Sequence, residues 1–134
     1  MPILSDYTVV HSHLAGSLRL GDHEGYEVQL QFNTGGRRSN ATAVLLITSK
    51  GLTVTARPGA EVRINGELCA LIRPTRSADV DDWTTQLNTF PASRLHNGDN
   101  SMAITAAELT EPTRRNVFDD FEVGDIVVWF KQEA

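Results

Sequence analysis

Apolar residues in this chain recur at every second position, and that period dictates what it can fold into. In the stretch Tyr26-Glu27-Val28-Gln29-Leu30-Gln31-Phe32, the residues Tyr26, Val28, Leu30 and Phe32 fall on one face of an extended strand. Glu27, Gln29 and Gln31 fall on the other. No window of about twelve residues carries the 3.6-residue spacing of an amphipathic helix. The run at 42–49 is apolar throughout and reads as a central strand. Lys50-Gly51 is a turn and residues 52–56 alternate again, so 42–56 is expected to form a hairpin. Asn65-Gly66 is the strongest short hairpin signal, because both central residues of a type I′ turn need positive φ. It joins a strand at 61–64 to one at 67–73. Further strands are expected at 83–90, 101–109 and 125–131, the last entered through Gly124, with one helical turn at 92–95. Residues 97–100 read as a polar turn. Eight or nine short strands punctuated in this way predict an all-β sandwich or barrel with little or no helix.

Length and charge narrow the partners. At 134 residues the chain suits a single domain spanning 1–134. A core of that size needs neither disulfide nor metal. The net charge of −5 argues against a nucleic-acid binder, whose footprint is basic; Arg37-Arg38 and Arg114-Arg115 read as solvated loop pairs. The single cysteine, Cys69, excludes an intramolecular disulfide, and it reads as a small buried strand residue. The first ten residues lack a basic segment followed by a long apolar one, and no apolar run approaches the ~20 residues that span a bilayer. A cytoplasmic location, with no membrane partner, is the default expectation.

Two turns carry a resemblance. Residues 62–70, Val-Arg-Ile-Asn-Gly-Glu-Leu-Cys-Ala, resemble the V-x-I/V-N-G-x hairpin of galactose-binding-like jelly rolls. Residues 95–105, with Leu95, Gly98, Asn100, Met102 and Ile104, are similar to the L-x-x-G-x-N-x-I-x-I segment of the same superfamily, which includes many carbohydrate-binding modules. The resemblance covers residues 61–105 and implies an antiparallel jelly-roll β-sandwich. It also implies that Leu95 plugs the core, Gly98 makes the turn and Asn100 bonds backbone across it. Such domains often carry a structural Ca²⁺ near the chain ends, for which residues 21–25 and 119–125 offer oxygens; otherwise no cofactor is expected.

Candidate chemistry is sparse. No nucleophile elbow, P-loop or dinucleotide fingerprint is present. His11 and His13 resemble the His-x-His pair of the cupins, and at i and i+2 on a strand they would face the same way. The glutamate and the third histidine of that pattern are missing, with only His23 and His96 as distant partners. A sugar site needs a flat ring with polar groups around it. Trp83 and Tyr26, with Arg37, Arg76, Asp82 and Gln86, are the candidates for loops at one end of the sandwich. Trp129, between Val128 and Phe130, reads as core or an intersheet contact, and Tyr7 likewise. Three functions remain open: a non-catalytic module binding a glycan or another small polar ligand; a structural or assembly subunit, either forming homo-oligomers or of virion type; and a cupin-like metal enzyme. The scarcity of aromatics, 7%, weighs toward the second.

Overall fold

The computed structural model describes residues 3–21, 27–35, 41–52, 59–73, 82–106 and 121–133. They form two antiparallel sheets packed as a jelly-roll sandwich. The strands are β1 (Ile3–His11), β2 (Leu18–Leu20), β3 (Glu27–Asn33), β4 (Thr42–Lys50), β5 (Ala60–Ile64), β6 (Glu67–Ile72), β7 (Thr84–Pro91), β8 (Asp99–Thr105) and β9 (Phe121–Glu133). One sheet runs β1-β9-β4-β7, with β2 following β1 along the same strand β9; the other runs β3-β8-β5-β6. The only helical pieces among the described residues are 3-10 turns at His13–Ala15 and Ala92–Arg94, the second where a helical turn is expected.

Alternation puts the core between the sheets. Ala43, Leu45, Ile47 and Ser49 of β4 point inward and are fully buried, as are Val62 and Ile64 of β5 and Ile104 of β8. Val28 and Leu30 of β3 are half-buried and Phe32 is buried, so the face read from the period is the inner one. Burying side chains of this size contributes about 1.5–3 kcal/mol each.

β4 has no edge free for the partner strand expected at 52–56. Both edges of β4 are taken by strands distant in sequence: β7, with Leu46 opposite Leu87, and β9, with Leu46 opposite Val127. Residues 53–58 lie outside the described residues. Periodicity identifies a strand but not its partner. Two further boundaries differ. Asp99 and Asn100 belong to β8, paired with Asn33 and Phe32, rather than to the preceding turn. β9 begins at Phe121, and Gly124 lies inside it.

The two turns of the resemblance are bonded to each other. Asn65 takes φ 52° and Gly66 φ 85°, as a type I′ hairpin requires. Leu95 is fully buried and Gly98 adopts φ 86°. Asn100, 2% exposed, accepts from the His96 amide at 2.7 Å and from Asn65 Nδ2 at 2.9 Å. Its own Nδ2 donates to Gly98 O at 2.9 Å, and at longer range to His96 O and Thr34 Oγ1. Asn65 also donates to Arg94 O and accepts from the Ser101 amide. This knot satisfies the backbone where β8 enters the sheet and ties it to the β5–β6 hairpin.

Candidate functional site

The outer face of the five-stranded sheet is unusually apolar, and β9 is the reason. Its segment 126–130 is apolar in both parities. Ile126, Val128 and Phe130 are buried, which turns Val127 and Trp129 outward. Pairing then aligns rows across four strands. One row is Tyr7, Trp129, Val44 and Thr89; the next is Val9, Val127, Leu46 and Leu87. Tyr7, Val9 and Leu87 are 60%, 51% and 64% exposed. The Tyr7 and Trp129 rings lie 6.5 Å apart, tilted by 45°. Tyr7 and Trp129 are therefore not core residues, contrary to the expectation from sequence. A run of apolar residues fixes that a strand is buried, not which alternate residues it buries.

At the other end of the same face sits a bulge. Residues Gly124 and Asp125 of β9 stand opposite the single residue Thr48 of β4, since Ile47 pairs with Ile126 and Ser49 with Val123. The Thr48 hydroxyl accepts from the Asp125 amide at 2.7 Å, and Asp125 Oδ1 accepts from the His13 amide at 2.7 Å. The bulge thus anchors the 3-10 turn at His13–Ala15, whose Leu14 amide is capped by the Ser12 hydroxyl. The His13 ring meets Trp83 edge-on with centroids 4.7 Å apart. Both cover Gly124: a Cβ there would lie 2.7 Å from His13 Nδ1 and from Thr48 Oγ1, and 3.1 Å from Trp83 Cζ3. Thr48 alternates with the buried Ile47 and Ser49, so this aromatic corner belongs to the outer face. Thr48 lies four residues along β4 from Val44, which pairs with Trp129, so the corner stands about 14 Å along the strands from Tyr7 and Trp129.

The residues singled out in sequence fare differently. Trp83 is half-buried in this corner, and exposed Asp82 accepts from its amide at 2.8 Å. Gln86 is engaged elsewhere: its Nε2 donates to Leu71 O at 2.6 Å and its Oε1 accepts from the Arg73 amide at 3.0 Å. It thereby links edge strand β7 to β6 of the other sheet. Tyr26, Arg37, Arg76 and His23, with residues 22–25 and 119–120 of the two acidic segments, lie outside the described residues. The strand premise for His11 and His13 fails, because β1 ends at His11 and His13 opens the 3-10 turn. His11 Nε2 bonds Gly16 O at 2.8 Å while His13 faces Trp83. Among the described residues no three His, Cys, Asp or Glu side chains converge as a metal site would require. Burial pushes the Cys69 thiol up, against weaker opposing pulls from the Ile64 backbone and Arg94, which disfavours the thiolate a nucleophile needs. Among the described residues, no helix is long and apolar enough to cross a membrane.

No protein-family model matches the chain, and no curated protein sequence matches it. Solved structures do. A β-porphyranase of glycoside hydrolase family 86 from the human gut bacterium Bacteroides plebeius matches 97% of this chain at 17% identity with a TM-score of 0.59. The match spans 21% of that enzyme, so the chain corresponds to about a fifth of its length. A family 35 carbohydrate-binding module from Clostridium thermocellum matches 92% of this chain, and 97% of its own, at 12% identity with a TM-score of 0.49. At such identities the likeness is one of fold: an antiparallel β-sandwich, the architecture that the motifs at 62–70 and 95–105 imply.

Proposed function

We propose that this chain is a non-catalytic carbohydrate-binding module whose ligand lies on the outer face of the five-stranded sheet. The observation that carries the reading is the pair of ring clusters on that face, Tyr7 with Trp129 and Trp83 with His13. Between them lie the aliphatic row of Val127, Leu46 and Leu87 and the hydroxyls of Thr48 and Thr85. Rings set along a flat sheet offer stacking surfaces for the apolar faces of successive sugar units, and the site's polar groups orient them. Asp82 and Asp125, at the Trp83 end, supply acceptors for sugar hydroxyls. This keeps Trp83 and Asp82 as ligand residues and adds Tyr7 and Trp129 to them. The likeness to part of a glycoside hydrolase agrees with the class of ligand.

A second reading rests on the same face. Its middle is aliphatic, and an exposed apolar patch is also what a second copy of the chain would cover. Affinity electrophoresis through gels containing soluble polysaccharides, run with sedimentation of the same protein, separates the two. Trp83→Ala and Tyr7→Ala are expected to weaken retardation by about 1–3 kcal/mol each, with folding intact. Glycan-independent dimerisation abolished by Leu87→Glu, with no retardation by any polysaccharide, supports the assembly reading instead.

A further inference from the structure

The opposite outer face, on the four-stranded sheet, is polar, and it is not flat. Its central strand β8 presents small side chains outward: Ser101, Ala103 and Thr105 alternate with the buried Met102 and Ile104. The strands on either side present long ones. Gln29 of β3 and Arg63 of β5 both pair with Ala103, and Glu27 and Glu61 both pair with Thr105. Two strand spacings set the walls about 10 Å apart. The result is a trough of about 310 Å³ along β8, lined by Glu27, Gln29, Arg63, Ser101, Met102 and Ala103 and reaching Gly66 of the β5–β6 turn. That volume lies at the lower end of the range for ligand pockets.

Solvent alone selects a polar outer face, but it does not select a channel. Nor are the lining groups spent on one another. Arg63 pairs with Glu61 at 3.1 Å. Among the described residues, the side chains of Glu27, Gln29 and Ser101 make no hydrogen bond within the protein. A carboxylate, an amide, a hydroxyl and the remaining guanidinium N–H groups therefore face one narrow space, offering both donors and acceptors. The lining has no ring, and the side chain of Met102, its one large apolar residue, is buried in the core, so a ligand here is held by hydrogen bonds rather than by stacking. With Glu61 neutralised by Arg63, Glu27 leaves the trough a net negative charge, which repels sulfate and carboxylate groups.

We propose that this trough is a second binding site, for a neutral, hydroxyl-rich oligosaccharide, on the face opposite the aromatic one. The proposal shares the ligand class of the preceding reading, but its site and its charge selectivity stand apart. With sites on both faces, one molecule holds two glycan chains, and binding to a polysaccharide surface is strengthened by avidity.

The test is amide chemical-shift mapping by NMR with neutral cello-, xylo- and galacto-oligosaccharides, and with an oligogalacturonate and a sulfated galacto-oligosaccharide as anionic counterparts. The proposal expects saturable shifts at Gln29, Arg63 and Ala103 with at least one neutral chain, and at least tenfold weaker binding there of its anionic counterpart. Ala103→Phe, which fills the channel with a residue that strands accommodate well, is expected to remove those shifts and leave those around Trp129 unchanged. Ser101→Ala is expected to weaken the trough site about 2–10-fold. Shifts confined to the aromatic face overturn the trough while leaving the preceding reading intact. Equal or tighter binding of anionic chains in the trough overturns its selectivity. Absence of shifts on either face with every probe overturns both.

Discussion

Replacing Asn100 with alanine should cost this protein a large part of its stability, although the change removes no apolar contact of any size. The side chain is buried and holds two acceptor bonds of 2.7 and 2.9 Å and a donor bond of 2.9 Å, with two longer bonds sharing the second amide hydrogen. A satisfied hydrogen bond contributes about 1 kcal/mol net, and a buried partner left without one costs about 1–3 kcal/mol. His96 O keeps a bond from Thr34 Oγ1 at 2.8 Å, Gly98 O keeps one from the Thr34 amide at 3.0 Å, and Asn65 Nδ2 keeps its bond to Arg94 O, so the group left wholly without its partner is the His96 amide. Two lost bonds at about 1 kcal/mol each and one stranded amide at about 1–3 kcal/mol bring the loss to about 3–5 kcal/mol. Against a total of about 5–15 kcal/mol for a domain, that is severe. For a chain of this length it lowers the melting temperature by roughly 10–20 °C. Urea unfolding followed by circular dichroism measures it. Asn65→Gly provides the control: it keeps the positive φ but loses the side-chain bonds, at a cost of about 1–2 kcal/mol. The double variant should be less destabilised than the sum by about 0.5 kcal/mol or more, because the two asparagines bond each other. An Asn100→Ala protein that melts within 2–3 °C of wild type, roughly 1 kcal/mol or less, would refute the reasoning.

Other outcomes follow from single contacts. Gly59→Ala should be strongly destabilising or fail to fold, since φ is 136° and a Cβ would lie 2.3 Å from Ile72 O; thermal melts or soluble yield check it. Gly124→Ala should displace the His13 and Trp83 rings and the Thr48 hydroxyl that holds the Asp125 amide, rather than break the sheet, visible as altered tryptophan emission with a drop in melting temperature. Cys69 should react with a thiol reagent more slowly than a free thiol at mildly alkaline pH. Its rate should keep rising at pH values where a free thiol's has levelled off, because burial raises its pKa; an ordinary pH–rate profile would contradict that.

The strands and turns were legible because their signals are local. Asn65-Gly66 dictates its own backbone, and the alternation in 27–32 dictates its inner face. The pairing of β4 with β7 and β9 was not legible, because nothing within 42–50 identifies its neighbours. The ring-bearing face was missed for a related reason. In the apolar run at 126–130 either parity reads as core, and only the ladder turns Trp129 outward beside Tyr7. Trp83 was found because it opens a strand after a polar loop, but its partner His13 comes from the far end of the chain, seventy residues earlier. The trough depends on small residues on one strand lying between long ones on two others, and such an arrangement exists only once the sheet has formed.

The most direct measurement uses the protein's own chromophores. The chain contains two tryptophans, Trp83 and Trp129, and both stand on the proposed binding face. A glycan-array screen followed by fluorescence titration with the best ligand should give a saturable change in emission that is reduced in Trp83→Ala. An absence of array ligands, or a ligand that saturates without altering the emission of either tryptophan, would contradict the assignment of that face.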